Sequence, residues 1–251
     1  MSNDAIEEDN SLSSISLSNG MLSHGGWELA YDKCLATPES PPEILFLHGA
    51  GSSSKARTRY LAYDLARHGY SSIAFDYSGC GDSPGDIGET TLLDRIQQAE
   101  VMIALLAVPA KRRVVIGSSM SGHIAARLAE RSTFGAMILF CPAAYPEEAE
   151  DKRFGPDFSE EIRKKWDFSA SPAFTALRSF KGSSLLAYGA EDAVVPPRVF
   201  ELYANALEFR GAAASIKLPD CPHAVHQWLP GHLAERQQVV KLLETTLERR
   251  G

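Results

Sequence analysis

The chain has 251 residues, a formal net charge of −7, and 44% hydrophobic against 23% charged residues. These values are typical of a globular protein long enough to bury a sizeable core, and they exclude disordered and fibrous classes. The acidic excess, with both signs mixed along the chain, argues against a nucleic-acid or anionic-membrane surface, so we expect a small-molecule partner.

The cysteines and the amino terminus indicate where the protein works. The cysteines lie far apart and form no cluster with metal-ligand spacing, which predicts reduced thiols and no metal site; they are Cys34, Cys80, Cys141 and Cys221. Residues 1–10 carry no cationic stretch followed by an apolar run, and no apolar stretch is long enough to span a bilayer. We expect a cytoplasmic monomer or small homo-oligomer with no membrane partner.

The amino-terminal part predicts a short tail and then an edge hairpin. Residues 1–11 are rich in Ser and Asn, bury little, and are predicted to be disordered, whereas residues 12–251 are predicted to form a single domain. Candidate strands Ser14–Leu17 and Trp27–Asp32 flank the turn-rich stretch Asn19–Gly26. This pattern predicts an antiparallel hairpin at the edge of a sheet.

From Glu43 onward, short apolar runs alternate with helix-periodic stretches. The runs lack polar alternation, which is typical of strands buried on both faces; they are Ile44–Leu47, Ser72–Phe75, Arg113–Ile116, Ala136–Phe140, Leu185–Tyr188 and Ser215–Leu218. The helical patterns are Thr58–His68, Leu92–Ala107, Ser121–Arg131, Pro197–Leu207 and Gln227–Glu248. The alternation predicts an α/β fold, a mostly parallel twisted sheet with helices on both faces.

One long connection, residues 145–183, interrupts this alternation and is rich in charge, proline and aromatic residues. Connections of this length in a compact domain are usually functional, so we predict a small helical cap with helices Ser159–Lys165 and Pro172–Phe180. Its recurring aromatic residues are candidates for a ligand pocket, and we select Trp166 and Phe168 as substrate-binding residues. The alternative is that the aromatic residues anchor the cap to the body of the protein.

The strongest chemical signal is a buried strand that runs through Gly117-Ser118-Ser119-Met120-Ser121 into a helix. A serine on a sharp strand-to-helix turn projects its hydroxyl, and the residues two before and two after must be small because strand and helix pass close together. Gly117 and Ser121 meet that requirement, so Ser119 is the candidate nucleophile. Ser118 is a rival only if the register slips.

A serine hydroxyl needs a base within reach and a group that fixes the tautomer of that base. In a strand-turn-helix architecture of this type the chain order is serine, acid, histidine. His223 follows the last strand in a short loop and is the candidate base, with His226 and His232 as alternatives. Asp192, in the turn after the strand that ends at Gly189, is the candidate acid, with Glu191 as its competitor.

Attack on a carbonyl also requires donors for the developing oxyanion. We predict the backbone N–H groups of Met120, at the start of the helix after the nucleophile, and of Ala50 in the loop His48-Gly49-Ala50-Gly51, with Gly51 less favoured. The loop lacks the Gly-Lys-Ser/Thr ending of a phosphate-binding loop, and no G-x-G-x-x-G opens a helix after the first strand. We therefore expect no cofactor.

Taken together, these motifs resemble the α/β-hydrolase superfamily from about Gly26 to Glu248. The motifs occur in the family order: His48-Gly49, Asp76-Tyr77-Ser78-Gly79-Cys80-Gly81-Asp82-Ser83, Gly117 to Ser121, Gly189 to Pro196, and His223. Two departures are Ser121 in place of a second glycine, and Cys80 where many members carry histidine. The similar members are compact esterases, thioesterases and serine-peptidase-like hydrolases.

The resemblance implies a serine hydrolase that cleaves a small-molecule ester or thioester through an acyl-enzyme on Ser119. The same triad also serves an acyltransferase, an amidase or a peptidase, and the fold alone does not choose among them. A non-catalytic ligand receptor on the same fold is the alternative from a different class.

Overall fold

A mostly parallel sheet of eight strands runs through residues 15–208 and 213–250, the part of the protein that the computed structural model describes. The strands are β1 Ser16–His24, β2 Trp27–Leu35, β3 Ile44–Leu47, β4 Ser72–Phe75, β5 Val114–Ser118, β6 Ala136–Phe140, β7 Ser183–Gly189 and β8 Ala213–Leu218, in the order β1-β2-β4-β3-β5-β6-β7-β8. β2 pairs antiparallel with β1 and β4, and the remaining neighbours pair parallel.

Helices cover both faces of this sheet. They are α1 Arg59–Arg67, α2 Leu92–Ile103, α3 Met120–Leu128, α4 Pro156–Arg163, α5 Pro172–Ser179, α6 Pro197–Glu208, α7 Val225–Trp228 and α8 Leu233–Glu248. A hydrophobic core lies on each face of the sheet, and alternate residues of β3 point into different cores. Phe46 packs in the core formed with α1 and α8, and Leu45 packs in the core formed with α2, α3 and α6. Because helices cover both faces, the central strands β3 to β6 consist of residues that are buried on both faces. The predicted fold class is confirmed.

The amino-terminal hairpin is longer than predicted. The stretch Asn19–Gly26 was expected to be a turn, but β1 continues to His24 and only Gly25 and Gly26 turn, with φ of 56° and 90°. β1 is an edge strand whose residues are mostly exposed, so it carries no apolar alternation by which a sequence pattern reveals a strand. Ser14 of the predicted first strand and the predicted disordered segment 1–11 lie outside the described residues.

The predicted helix Gln227–Glu248 is broken near its start. α7 ends at Trp228, a short 3-10 turn covers Leu229–Gly231, and α8 begins at Leu233. Pro230 accounts for the break, because proline lacks a backbone N–H and its ring clashes with the preceding helical turn.

The connection between β6 and β7 forms the small helical cap, with α4 and α5 as its two helices. α5 packs against α3 and α6, so the cap rests on the helix that follows the candidate nucleophile. None of the helices in the described ranges combines the length and apolar content needed to cross a bilayer. The division into one domain, residues 12–251, with cap 145–183 stays a prediction.

Candidate active site

Ser119 lies at the sharp turn between β5 and α3 and has the backbone conformation φ 52°, ψ −116°. Such a conformation costs a non-glycine residue on the order of 1 to 3 kcal/mol and is maintained only where the surrounding structure enforces it. Here the Ser119 N–H donates to the Phe140 carbonyl at 2.9 Å, and the Ala143 N–H donates to the Ser119 carbonyl at 2.9 Å. The turn is therefore fixed to the end of β6, and the Ser119 side chain projects from it.

The structure explains why the residues two before and two after Ser119 are small. A Cβ at Gly117 would lie 2.2 Å from the carbonyl oxygen of Ser121, so no larger residue fits there without displacing the helix. Ser121 is fully buried, and its hydroxyl donates to the His48 carbonyl at 2.5 Å and accepts from the Tyr77 hydroxyl at 3.0 Å. The serine in place of glycine thus ties the nucleophile turn to the loop after β3, a role the sequence pattern did not reveal.

Asp192, His223 and Ser119 form a continuous chain of hydrogen bonds. The distance from Asp192 Oδ2 to His223 Nδ1 is 2.7 Å, and that from His223 Nε2 to Ser119 Oγ is 2.8 Å. Because a carboxylate only accepts, Nδ1 carries the proton that it donates to Asp192, and Nε2 is left to accept from the serine hydroxyl. The tautomer is therefore the one in which His223 faces Ser119 as a base.

The acid and the base are held together by their loops. The Glu191 N–H donates to the Cys221 carbonyl at 3.0 Å, which joins the turn after β7 to the loop after β8. A Cβ at Gly189 would lie 2.1 Å from that same carbonyl oxygen, so this close approach requires glycine. The Glu191 side chain is exposed and Asp192 makes the contact with His223.

The environment of Asp192 keeps it ionised. Burial acts to raise its pKa, but the hydrogen bond from His223 and those from the Val195 and Val194 N–H groups outweigh burial and hold the pKa below its usual range. Both of these N–H groups donate to Oδ1 at 2.9 Å, so Oδ2 is directed at the imidazole. At neutral pH Asp192 therefore carries a negative charge directly beside His223.

His226, the alternative base, has a different set of partners. Its Nε2 lies 2.6 Å from Ser118 Oγ and its Nδ1 lies 2.9 Å from the Tyr60 hydroxyl, so both ring nitrogens are engaged away from Ser119. Burial lowers the pKa of His226 to about 4, which leaves it neutral. The Ser118 hydroxyl is buried against this ring, whereas Ser119 is partly exposed.

The two predicted oxyanion donors belong to segments next to Ser119. Met120 is the first residue of α3, where helical N–H groups have no intrahelical partner. The loop that carries Ala50 runs directly against the serine, since a Cβ at Gly49 would lie 3.3 Å from Ser119 Cβ. His48 stabilises that loop: its Nε2 accepts from the Tyr77 N–H at 3.3 Å, so its Nδ1–H donates to the Gly49 carbonyl at 2.8 Å.

The aromatic residues of the cap divide into two groups. Trp166 and Phe168 contact each other edge to face and line a cavity of about 190 Å³ that reaches Ser119. Phe174 is 1% exposed and packs on Tyr203, and Phe158 is also buried. The structure thus places the two selected residues at the cavity, while Phe174 and Phe158 anchor the cap.

A thiol lies beside the acid and the base. Within the described ranges, Cys141, Asp192 and His223 offer ligand atoms within 4.8 Å of one another. Burial raises the pKa of the Cys141 thiol, so it stays protonated at neutral pH, and the facing atoms of the other two residues are already hydrogen-bonded. Asp192 and His223 are hydrogen-bonded to each other, and Cys141 beside them is a neutral thiol. A metal ion binds the thiolate, so this arrangement does not fit a metal site.

A family model described as "Serine aminopeptidase, S33" matches residues 39–168, which is 130 of the 251 residues. The chain belongs to this family. The expected α/β-hydrolase resemblance is therefore confirmed, and the protein is a member of a hydrolase family. The matched region of this S33 family member contains the loop after β3, the nucleophile turn and most of the cap.

This chain is also similar to two curated proteins and to an esterase of known structure. The quorum-quenching protein AidA of Acinetobacter baumannii is 32% identical over 42% of this chain and 37% of its own length. The proline iminopeptidase PfmaB of Pestalotiopsis fici is 28% identical over 58% of this chain and 54% of its own. An esterase of Pyrococcus furiosus has the same fold, with a TM-score of 0.68, 22% identity, and 93% of each chain covered. The chain thus spans about a third to a half of these two curated relatives.

Proposed function

We propose that the protein is a serine hydrolase that cleaves a carboxylic ester or thioester of a small molecule through an acyl-enzyme on Ser119. The observation that carries the proposal is the hydrogen-bond chain from Asp192 through His223 to Ser119, at 2.7 and 2.8 Å. The serine at its end has a strained backbone and lines two cavities.

In this mechanism Ser119 Oγ attacks the substrate carbonyl while His223 Nε2 takes its proton. The resulting imidazolium is stabilised by the ionised Asp192, which accepts from Nδ1. The Ala50 and Met120 N–H groups stabilise the oxyanion, a contribution of roughly 3 kcal/mol for one donor. His223 then protonates the leaving alkoxide or thiolate, and water activated by the same base releases the acid and restores Ser119.

An aminopeptidase is the second candidate, favoured by the family name and by the iminopeptidase relative. Such an enzyme must bind the ammonium group at the amino terminus of its substrate, and a carboxylate near the nucleophile is the strongest partner for that charge. The described residues that line the two cavities at Ser119 include no Asp or Glu. This composition favours an ester or thioester over a peptide amino terminus.

Substrate panels test this choice. We expect para-nitrophenyl esters and acyl thioesters to be hydrolysed with a dependence on acyl-chain length, and aminoacyl and prolyl anilides to be turned over far more slowly. Preferential turnover of the anilides would replace the ester proposal with the peptidase one. Product analysis with added alcohols and amines distinguishes a hydrolase from an acyltransferase.

The cellular location, oligomeric state and partners of the enzyme stay predictions. We propose that it acts in the cytoplasm as a monomer or small homo-oligomer, without a nucleic-acid or membrane partner. Light scattering of the purified protein and fractionation of cells test these points.

A further inference from the structure

The two cavities lined by Ser119 differ in their other side chains. The one under the cap, which contains Trp166 and Phe168, is lined almost entirely by apolar and aromatic residues. The other, of about 150 Å³, lies between the loop after β3 and the start of α7, and its lining combines apolar surface with several polar side chains. Its polar lining includes Arg57, Gln227, Ser52, Ser53 and Thr58. The second cavity therefore offers a cation, Arg57, and the cavity under the cap does not.

Arg57 is a half-buried cation that has no ion pair with a carboxylate within residues 15–208 and 213–250. With its amide oxygen turned toward the guanidinium, Gln227 accepts from both terminal nitrogens of Arg57, at 2.6 and 3.1 Å. An amide oxygen orients the guanidinium but carries no net charge. The described lining of this cavity contains no carboxylate. Arg59, two residues along the chain, is paired with Asp32 at 3.0 Å.

We propose that Arg57, positioned by Gln227, binds a carboxylate on the substrate. A guanidinium has five N–H donors in one plane, and Gln227 takes one from each terminal nitrogen, so the Nε–H and the outer N–H groups are left for a carboxylate. A group already held in place loses little entropy on binding. The substrate is thus an ester or thioester with an apolar group under the cap and a carboxylate on the Arg57 side of the reacting carbonyl. This inference rests on the proposed function.

Matched ester pairs test the inference. On the acyl side, para-nitrophenyl glutarate is compared with the analogue in which an isopropyl group replaces the carboxylate. On the alcohol side, para-carboxyphenyl acetate is compared with para-isopropylphenyl acetate. For each pair the ratio of kcat/KM, charged over neutral, is measured for the wild type, for Arg57→Gln, and for the control Arg59→Gln. Differences in intrinsic reactivity cancel when the ratios of the proteins are compared.

We expect Arg57→Gln to lower the ratio of at least one pair by roughly 10-fold to 100-fold, as for a lost charge-assisted hydrogen bond. Arg59→Gln should leave both ratios unchanged. The inference is overturned if Arg57→Gln changes neither ratio, or if Arg59→Gln lowers them equally.

A binding measurement separates this inference from the proposed function. NMR titration measures the affinity of Ser119→Ala for the two charged esters, with and without the added Arg57→Gln substitution. A loss of affinity with Arg57→Gln supports the carboxylate site even if the wild type turns over no ester, which would sink only the proposed function. Efficient turnover with no dependence on Arg57 in either assay would sink only the carboxylate site.

Discussion

Replacing Asp192 by asparagine should inactivate the enzyme by reversing the tautomer of its base. In the structure Asp192 Oδ1 accepts from the Val194 and Val195 N–H groups at 2.9 Å, and Oδ2 accepts from His223. An asparagine must keep its oxygen facing the two backbone donors, so its NH₂ group turns toward His223 Nδ1. Nδ1 then becomes an acceptor, the ring proton moves to Nε2, and Ser119 faces a donor instead of a base.

The expected effect is on catalysis more than on folding. The substitution keeps the shape of the side chain, and loss of the correct tautomer lowers kcat by about 10⁴-fold in an enzyme with this triad. Glu191→Gln is the matched control, because it removes the neighbouring exposed carboxylate and should change kcat by less than about twofold. Initial rates on a para-nitrophenyl ester and thermal unfolding of each variant provide the measurement.

Two results would refute this reasoning. One is an Asp192→Asn variant that retains more than about a tenth of the wild-type kcat, and the other is an equal loss in Glu191→Gln. The pH profile gives a further check. The pKa of Asp192 lies below its usual range, so this residue stays ionised from pH 8 down to pH 5. A general base must be unprotonated to act, so wild-type activity should fall toward acidic pH, and a flat profile would contradict a histidine base.

The remaining predictions concern the second histidine and the cap. His223→Ala should lower kcat by about 10⁴ to 10⁶-fold, whereas His226→Ala should lower it by less than about 10²-fold since His226 contacts Ser118 rather than Ser119; the reverse ranking would move the base. Trp166→Ala and Phe168→Ala should shift the acyl-chain preference in kcat/KM. An unchanged preference would show that these two cap residues do not select the substrate. Phe174→Ala should instead destabilise the fold by about 3 to 5 kcal/mol in chemical denaturation, and an unchanged midpoint would refute its role as an anchor.

The sheet could be predicted from sequence because its signal is local. β3 and β4 have the predicted bounds, since a run of apolar residues buried on both faces is visible in the sequence itself. β1 could not be delimited, because an exposed edge strand is specified by its pairing with β2 and not by its own side chains. The break before α8 had a visible sign in Pro230, which the helical periodicity around it concealed.

The site shows the same division. Ser119 and His223 could be selected because strand-turn-helix sterics and the order of loops constrain them. The contact of Ser121 with His48 and the contact of Ser118 with His226 depend on loops 73 and 108 residues apart in sequence. No local pattern encodes those contacts, so the function of Ser121 emerged only from the folded structure.

Fluorophosphonate labelling followed by peptide mass spectrometry tests the central claim, a nucleophilic serine at position 119, most directly. We predict that the wild-type protein is labelled at Ser119, that Ser119→Ala is not labelled, and that Ser118→Ala still is. Because the probe needs an activated serine but no particular substrate, the result does not depend on knowing the natural ester. Label mapped to Ser118, or a folded wild-type protein that fails to react, would contradict the account.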